Sequence, residues 1–111
     1  MNLEINIELL DNTHLLKLSG EVDAYTAPKL REAIIPLVEK ENANVIVNLS
    51  GVRYMDSTGL GVFIGALKSS YKFRSSLKLQ GLTTQVERLF HITGLSEVIN
   101  IEAECGVRGE K

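Results

Sequence analysis

Along this chain the spacing of apolar residues alternates between the period of a strand and that of a helix. Leu3, Ile5 and Ile7 alternate with Glu4, Asn6 and Glu8, the pattern of a half-buried strand. Asp11-Asn12 supplies a turn, and His14 to Ser19 reads as a second strand, so the start predicts a hairpin. Gly20-Glu21-Val22-Asp23 is expected to leave the sheet. Thr26 can then cap a helix whose early Pro28 sacrifices no hydrogen bond in the first turn. Leu30, Ala33, Ile34, Leu37 and Val38 form its apolar stripe, and Pro36 predicts a kink or a second short helical turn.

Val45 to Leu49 is the most apolar stretch, and its weak alternation predicts a strand buried on both faces. The pattern then becomes helical after Ser57, with a stripe of Leu60, Phe63, Ile64, Leu67 and Tyr71. Leu77 to Leu79 predicts another strand. A third helix follows, with Val86, Leu89 and Phe90 inward and Gly94 as its stop. Val98 to Ile101 closes the pattern as a short strand, leaving residues 102–111 as a polar, flexible tail. The order β-β-α-β-α-β-α-β predicts a single α/β domain over residues 1–101, with packed helices and a mixed sheet whose later strands run parallel.

At 111 residues the chain is long enough for one core and too short for two. Its 44% hydrophobic and 23% charged content is that of an ordinary globular domain. A net charge of −2 argues against a nucleic-acid binder; the densest basic stretch, Lys68, Lys72, Arg74 and Lys78, reads as a solvated helix end and the loop after it. Cys105 is the single cysteine, so no intrachain disulfide can form and a reducing compartment is the simpler home. The first ten residues lack the basic start of a signal peptide, and the longest uncharged apolar run, Gly59 to Leu67, is far short of the roughly 20 residues that span a bilayer. Asn48-Leu49-Ser50 matches a glycosylation acceptor but sits in an apolar strand. The composition fits a cytoplasmic protein.

The most informative segment is Val45 to Gly61, where a strand runs into Asp56-Ser57-Thr58 and a helix begins. A serine hydroxyl there sits at a helix N-terminus, where free N–H groups and the dipole favour negative charge, so a phosphate on Ser57 is well placed. Capping alone also accounts for this triple. The glycines ask for more. Gly59, Gly61 and Gly65 in one helix together cost about 3 kcal/mol relative to alanine. Packing on the sheet can explain Gly61 and Gly65, which share a face; bare backbone at Gly59 can let a large partner reach Ser57. Asp23 opens another strand-end loop, where partners gather in α/β sheets, although a turn or cap role explains it equally well.

Catalysis finds no support in the residues. An esterase elbow needs glycine two residues before the serine, and Met55 stands there. No Gly-Lys-Ser or Gly-Lys-Thr of a phosphate-binding loop occurs, and His14 and His91 show no metal spacing and read as structural. Ser57 looks like a substrate rather than a catalyst, in a chain with no cofactor or metal of its own.

Met55-Asp56-Ser57-Thr58-Gly59-Leu60-Gly61-Val62-Phe63, with Gly20-Glu21-Val22-Asp23 and Thr26-Ala27-Pro28, resembles the STAS-domain anti-anti-sigma factors, most of all those that antagonise the anti-sigma-B factor in Gram-positive general stress signalling. Gly81-Leu82, Arg88-Leu89-Phe90 and Ile92-Thr93-Gly94-Leu95 extend the likeness over nearly the whole chain. The resemblance implies a partner switch in which an anti-sigma factor serine kinase, using its own ATP, phosphorylates Ser57. The unphosphorylated form binds that kinase and frees the sigma factor, and a PP2C-type phosphatase resets the system. It implies that Asp23, Thr26, Asp56, Thr58, Gly59 and Leu60 surround the acceptor and meet the partner. Thr58, a second hydroxyl next door, stays open as a minor acceptor beside Ser57. Nucleic acid and membrane are not among the implied partners. Two other classes stay open: a STAS adaptor of a membrane transport system, and a small-ligand or nucleotide sensor.

Overall fold

A computed structural model of the protein describes residues 2–95 and 100–102. β1 (Leu3–Leu10) and β2 (Thr13–Val22) form the expected hairpin, paired antiparallel from Leu3↔Gly20 to Leu10↔Thr13. Asp11 opens the connection with φ of 56°, a left-handed conformation that aspartate tolerates better than most residues. α1 (Ala27–Val38), β3 (Asn44–Met55), α2 (Ser57–Phe73), β4 (Ser76–Gln80), α3 (Thr84–Ile92) and β5 (Asn100–Glu102) follow. The sheet order is β1-β2-β3-β4-β5, with every pair after the hairpin parallel. This is the mixed sheet and the element order read from the sequence.

β3 departs most from the sequence reading. It continues six residues past Leu49, and its burial alternates rather than being two-sided: Val45, Val47 and Leu49 are fully enclosed, whereas Ile46 and Asn48 are half-buried. Two register shifts against β2 each give β3 one extra residue, so the inward set runs Val45, Val47, Leu49, Val52 and Met55. A bulge keeps the apolar face inward while breaking the period of two.

β2 likewise extends to Val22, so the chain leaves the sheet at Asp23 and not at Gly20. Gly20 stays in the strand with φ of 122°, and a Cβ there would stand 2.1 Å from the Asn2 carbonyl oxygen. Only glycine fits so close an approach.

One core cluster draws on all three helices and the inward strand positions. Leu30, Ile34, Leu37 and Val38 come from α1, and the helix is continuous through Pro36, so no separate second turn forms. α2 buries Leu60, Val62, Phe63, Ala66, Leu67 and Ser70. Ile64 and Tyr71, expected inward, are 38% and 66% exposed, because the buried face of α2 is centred on Phe63 and Ala66. Phe63 meets Phe90 of α3 edge to face at 5.8 Å between ring centres, a favoured aromatic geometry. Gly94 follows α3 with φ of 82°, as expected of a helix stop. Val98, Ile99 and residues 103–111, including Cys105, lie outside the described residues.

Candidate functional site

β2 and β3 are neighbours and parallel, so the turns that leave them, into α1 and α2, emerge side by side at one end of the sheet. Val22 and Met55 pair as the last residues of their strands, and the Asp56 amide donates to the Val22 carbonyl at 3.2 Å. Asp23 and Asp56 thus occupy equivalent places, one residue beyond each strand. Both carboxylates serve the backbone that follows. Asp23 Oδ1 accepts from the amides of Tyr25 (2.9 Å) and Thr26 (3.1 Å). Asp56 Oδ1 accepts from those of Thr58 (3.0 Å) and Gly59 (3.3 Å). Asp56 is therefore the N-cap of α2, with extended backbone, and satisfies donors that the helix leaves open.

Thr26 holds the N-cap position of α1, yet its hydroxyl does not cap the helix as expected. It accepts from the Asp23 amide and donates to the Glu21 carbonyl, both at 2.9 Å. The Asp23 carboxylate instead holds the turn that precedes α1, whose first amide, Ala27, donates to the Asp23 carbonyl at 2.8 Å; Asp23 and Thr26 are both buried. Beside them Ser57, the first residue of α2, and Thr58 are exposed, and among the described residues neither hydroxyl has a hydrogen-bond partner.

The glycines reverse the roles that the sequence suggested. Gly59 is a packing residue: a Cβ there would lie 2.6 Å from Val22 Cγ1 and 2.9 Å from Met55 Cγ. Gly61 and Gly65 have open space where a side chain would be, so packing on the sheet does not account for them. Leu60 points into the core at 4% exposure. Of the residues that the family likeness groups around the acceptor, Ser57, Thr58 and the edge of Asp56 are accessible, whereas Asp23, Thr26, Gly59 and Leu60 shape the turns from beneath.

The sequence reading missed an aromatic and acidic rim. A depression of about 530 Å³ is lined by Glu21, Asp23, Ala24, Tyr25, Tyr54 and Asp56. Tyr25 is 87% exposed and Tyr54 48%. Large aromatics left open at the end of a sheet are unusual for a merely structural surface and common where proteins dock. Glu21, at the edge, pairs with Arg53 at 2.6 Å. That hydrogen bond, aided by the Asn2 amide, holds the Glu21 carboxyl below the usual carboxylate range. Tyr54 belongs to the very segment that drew attention to Ser57, but its exposure follows from the bulged end of β3, which periodicity could not show.

No group of three or more metal-ligating side chains converges among the described residues, and no helix there is long and apolar enough to cross a membrane. A family model described as the STAS domain matches residues 4–106. The anti-sigma-B factor antagonist of Listeria monocytogenes is 48% identical over 111 residues, covering 99% of this chain and 95% of the relative. That of Bacillus subtilis is 44% identical, covering 94% of each. Among solved structures, an anti-sigma factor antagonist from Mycobacterium paratuberculosis superposes with a TM-score of 0.75 at 24% identity, over 97% of this chain and 90% of that one, a likeness in fold.

Proposed function

The chain belongs to the STAS-domain family, and from that premise we propose that it is an anti-sigma factor antagonist switched by phosphorylation of Ser57. In its unphosphorylated form it binds an anti-sigma factor serine kinase and so releases the sigma factor. The kinase, which supplies the ATP, transfers a phosphate to Ser57 and loses its hold, and a PP2C-type phosphatase restores the hydroxyl. The chain is a cytoplasmic regulator with no cofactor and no reaction of its own.

The observation that carries this reading is the unpartnered, exposed hydroxyl of Ser57 on a braced helix start. An acceptor serine must reach another protein's active site without unfolding its own helix. Here the Asp56 cap and the Gly59 packing hold the backbone, while the hydroxyl is committed to nothing. Phosphorylation adds about −1.5 to −2 charges at neutral pH. The helix dipole tolerates that charge within the fold. A partner closely docked over Ser57, Thr58, Tyr25 and Tyr54 would instead meet new bulk and new charge beside Asp56. The switch therefore acts on affinity rather than on structure. Thr58, equally exposed one residue on, is the one neighbouring hydroxyl that the test below has to separate from Ser57.

Intact mass before and after incubation with the cognate kinase and ATP tests the assignment. One added phosphate on the wild type and none on Ser57→Ala is the expected result. No phosphate on the wild type would overturn it and favour the transport-adaptor or sensor classes. A phosphate retained on Ser57→Ala would move the acceptor to Thr58.

A further inference from the structure

β1 is the outer strand of the sheet, and its free side is unusually complete. The Glu21 amide donates to the Asn2 carbonyl at 2.9 Å, which fixes the phase of the ladder: even-numbered residues turn their backbone groups toward β2, and Leu3, Ile5, Ile7 and Leu9 turn theirs outward. The Leu3 carbonyl is taken by Lys29 Nζ at 2.6 Å. Among the described residues, the outward N–H and C=O groups of Ile5, Ile7 and Leu9 pair with no other strand. Natural edge strands are blunted by brevity, proline, charged side chains (lysine above all) or a bulge, and of these β1 carries only the charges of Glu4 and Glu8. β1 is eight residues long, contains no proline or lysine, and runs without a register shift. From Ile7 onward its apolar side chains are open as well, with Ile7 49%, Leu9 62% and Leu10 56% exposed, whereas Leu3 is buried and Ile5 half-buried.

We propose that two copies of this chain join through β1, antiparallel and centred on Ile7, so that their sheets become one. The register follows from charge. Outward-facing residues must lie opposite outward-facing residues, which leaves few alignments. Centring on Asn6 sets Glu4 against the second copy's Glu8 twice over, and centring on Glu8 sets the two Glu8 side chains face to face; like charges directly opposite are destabilising. Centring on Ile5 brings in the Leu3 carbonyl, which Lys29 occupies. Centring on Ile7 avoids all three conflicts. It pairs Ile7 with Ile7 and Ile5 with Leu9 on one face, and Glu8 with Asn6 and Glu4 with Leu10 on the other. It also brings Leu3, with the Lys29 ammonium beside it, to the end of the second copy's strand, where the turn residue Asp11 follows, a charge complementarity made twice by the symmetry. Each of the three outward pairs exchanges two backbone hydrogen bonds. This edge lies on the far side of β2 from the strand that leads to Ser57, so pairing leaves the acceptor open.

Sedimentation equilibrium on the full chain tests the pairing. The wild type should pass from 12.2 kDa to twice that mass as concentration rises from about 1 µM to about 1 mM, the range expected of a small interface. Ile7→Lys opposes two ammonium groups on the symmetry axis and should weaken association at least about tenfold, with an unchanged far-UV spectrum. In a Cys105→Ser background, Ile7→Cys brings two thiols within disulfide reach, since hydrogen-bonded partners lie about 5.5 Å apart at Cα. Mild oxidation should therefore yield a covalent dimer at position 7, and Leu10→Cys, which faces Glu4, should not. A wild type that stays monomeric throughout overturns the proposal. So does a dimer that Ile7→Lys leaves intact and position 7 fails to cross-link. Neither result bears on phosphorylation of Ser57.

Discussion

The turn into α1 and the turn into α2 are built on one plan and put to opposite uses. Each follows a parallel strand, each places an aspartate one residue beyond it, and each aspartate accepts two backbone amides, Asp23 in the turn before α1 and Asp56 in the first turn of α2. In the first turn the neighbouring hydroxyl, that of Thr26, is buried and engaged on both sides. In the second, the hydroxyls of Ser57 and Thr58 are exposed and unengaged among the described residues. A hydroxyl that holds a turn together cannot be modified without undoing it, whereas one held out by a turn that others stabilise can be. The contrast separates a bracing hydroxyl from an open one at a single end of the sheet.

The sharpest way to break that contrast is to remove the two carboxylates in turn. Asp23→Ala leaves two amides without an acceptor in a buried turn and should cost about 2–4 kcal/mol of unfolding free energy. Asp56→Ala removes a part-exposed cap whose amides water can reach, and should cost about 1 kcal/mol. Equal losses in urea denaturation would mean that the two turns are equally structural. The glycines give a smaller effect of opposite signs. Gly59→Ala forces a Cβ against Val22 and Met55 and should cost about 1–3 kcal/mol. Gly61→Ala enters open space on the same helix and should stabilise by up to about 1 kcal/mol. A destabilised Gly61→Ala would reveal a constraint on that face within the isolated protein.

Much of this was legible in the sequence because it is local. Asp56-Ser57-Thr58 following an apolar run announces a cap, and the period changes mark every helix and strand in order. What stayed hidden depends on neighbours in space. The inward spacing of β3 beyond Leu49 is set by two bulges against β2, so Val52 and Met55 do not continue an alternation and the strand pattern stops short of the strand. Gly59 could be recognised as tightly packed only once Val22, 37 positions earlier, was seen to lie over it. Thr26 looks like a cap from its position, and only the bonds of its hydroxyl to the Asp23 amide and the Glu21 carbonyl show that it braces the turn instead. Tyr25 and Tyr54 gave no periodic signal at all, since an exposed aromatic at a strand end belongs to neither pattern.

A third test keeps the fold and changes the surface. Ser57→Asp places a carboxylate in the first turn of α2, where the dipole stabilises it by about 0.3–1 kcal/mol. Thermal unfolding should therefore stay level or rise slightly, while binding to the cognate kinase, followed by calorimetry, should be lost. The same substitution at Thr26 should unfold the first turn. A Ser57→Asp protein that binds as tightly as wild type would show that charge at this position does not decide docking.

The smallest effect concerns the ion pair at the rim. Glu21 has its carboxyl held low, first by the hydrogen bond from Arg53 and then by the Asn2 amide. A carboxyl whose value is lower folded than unfolded binds fewer protons in the native state. Its contribution is thus complete above the ordinary glutamate value of about 4.3 and is lost as pH falls through the lowered one. Arg53 is 71% exposed, so solvent and salt screen the pair and little stability rests on it. Arg53→Gln should accordingly leave unfolding at neutral pH almost unchanged, and should shrink the acid-side loss of stability because Glu21 then titrates nearer its ordinary value. The pair orients Glu21 at the border of the Tyr25–Tyr54 depression, so its larger consequence should fall on partner binding. If Arg53→Gln destabilised the protein as much as Asp23→Ala, support would extend outward to the rim, and the division between braced interior and open surface would have to be redrawn.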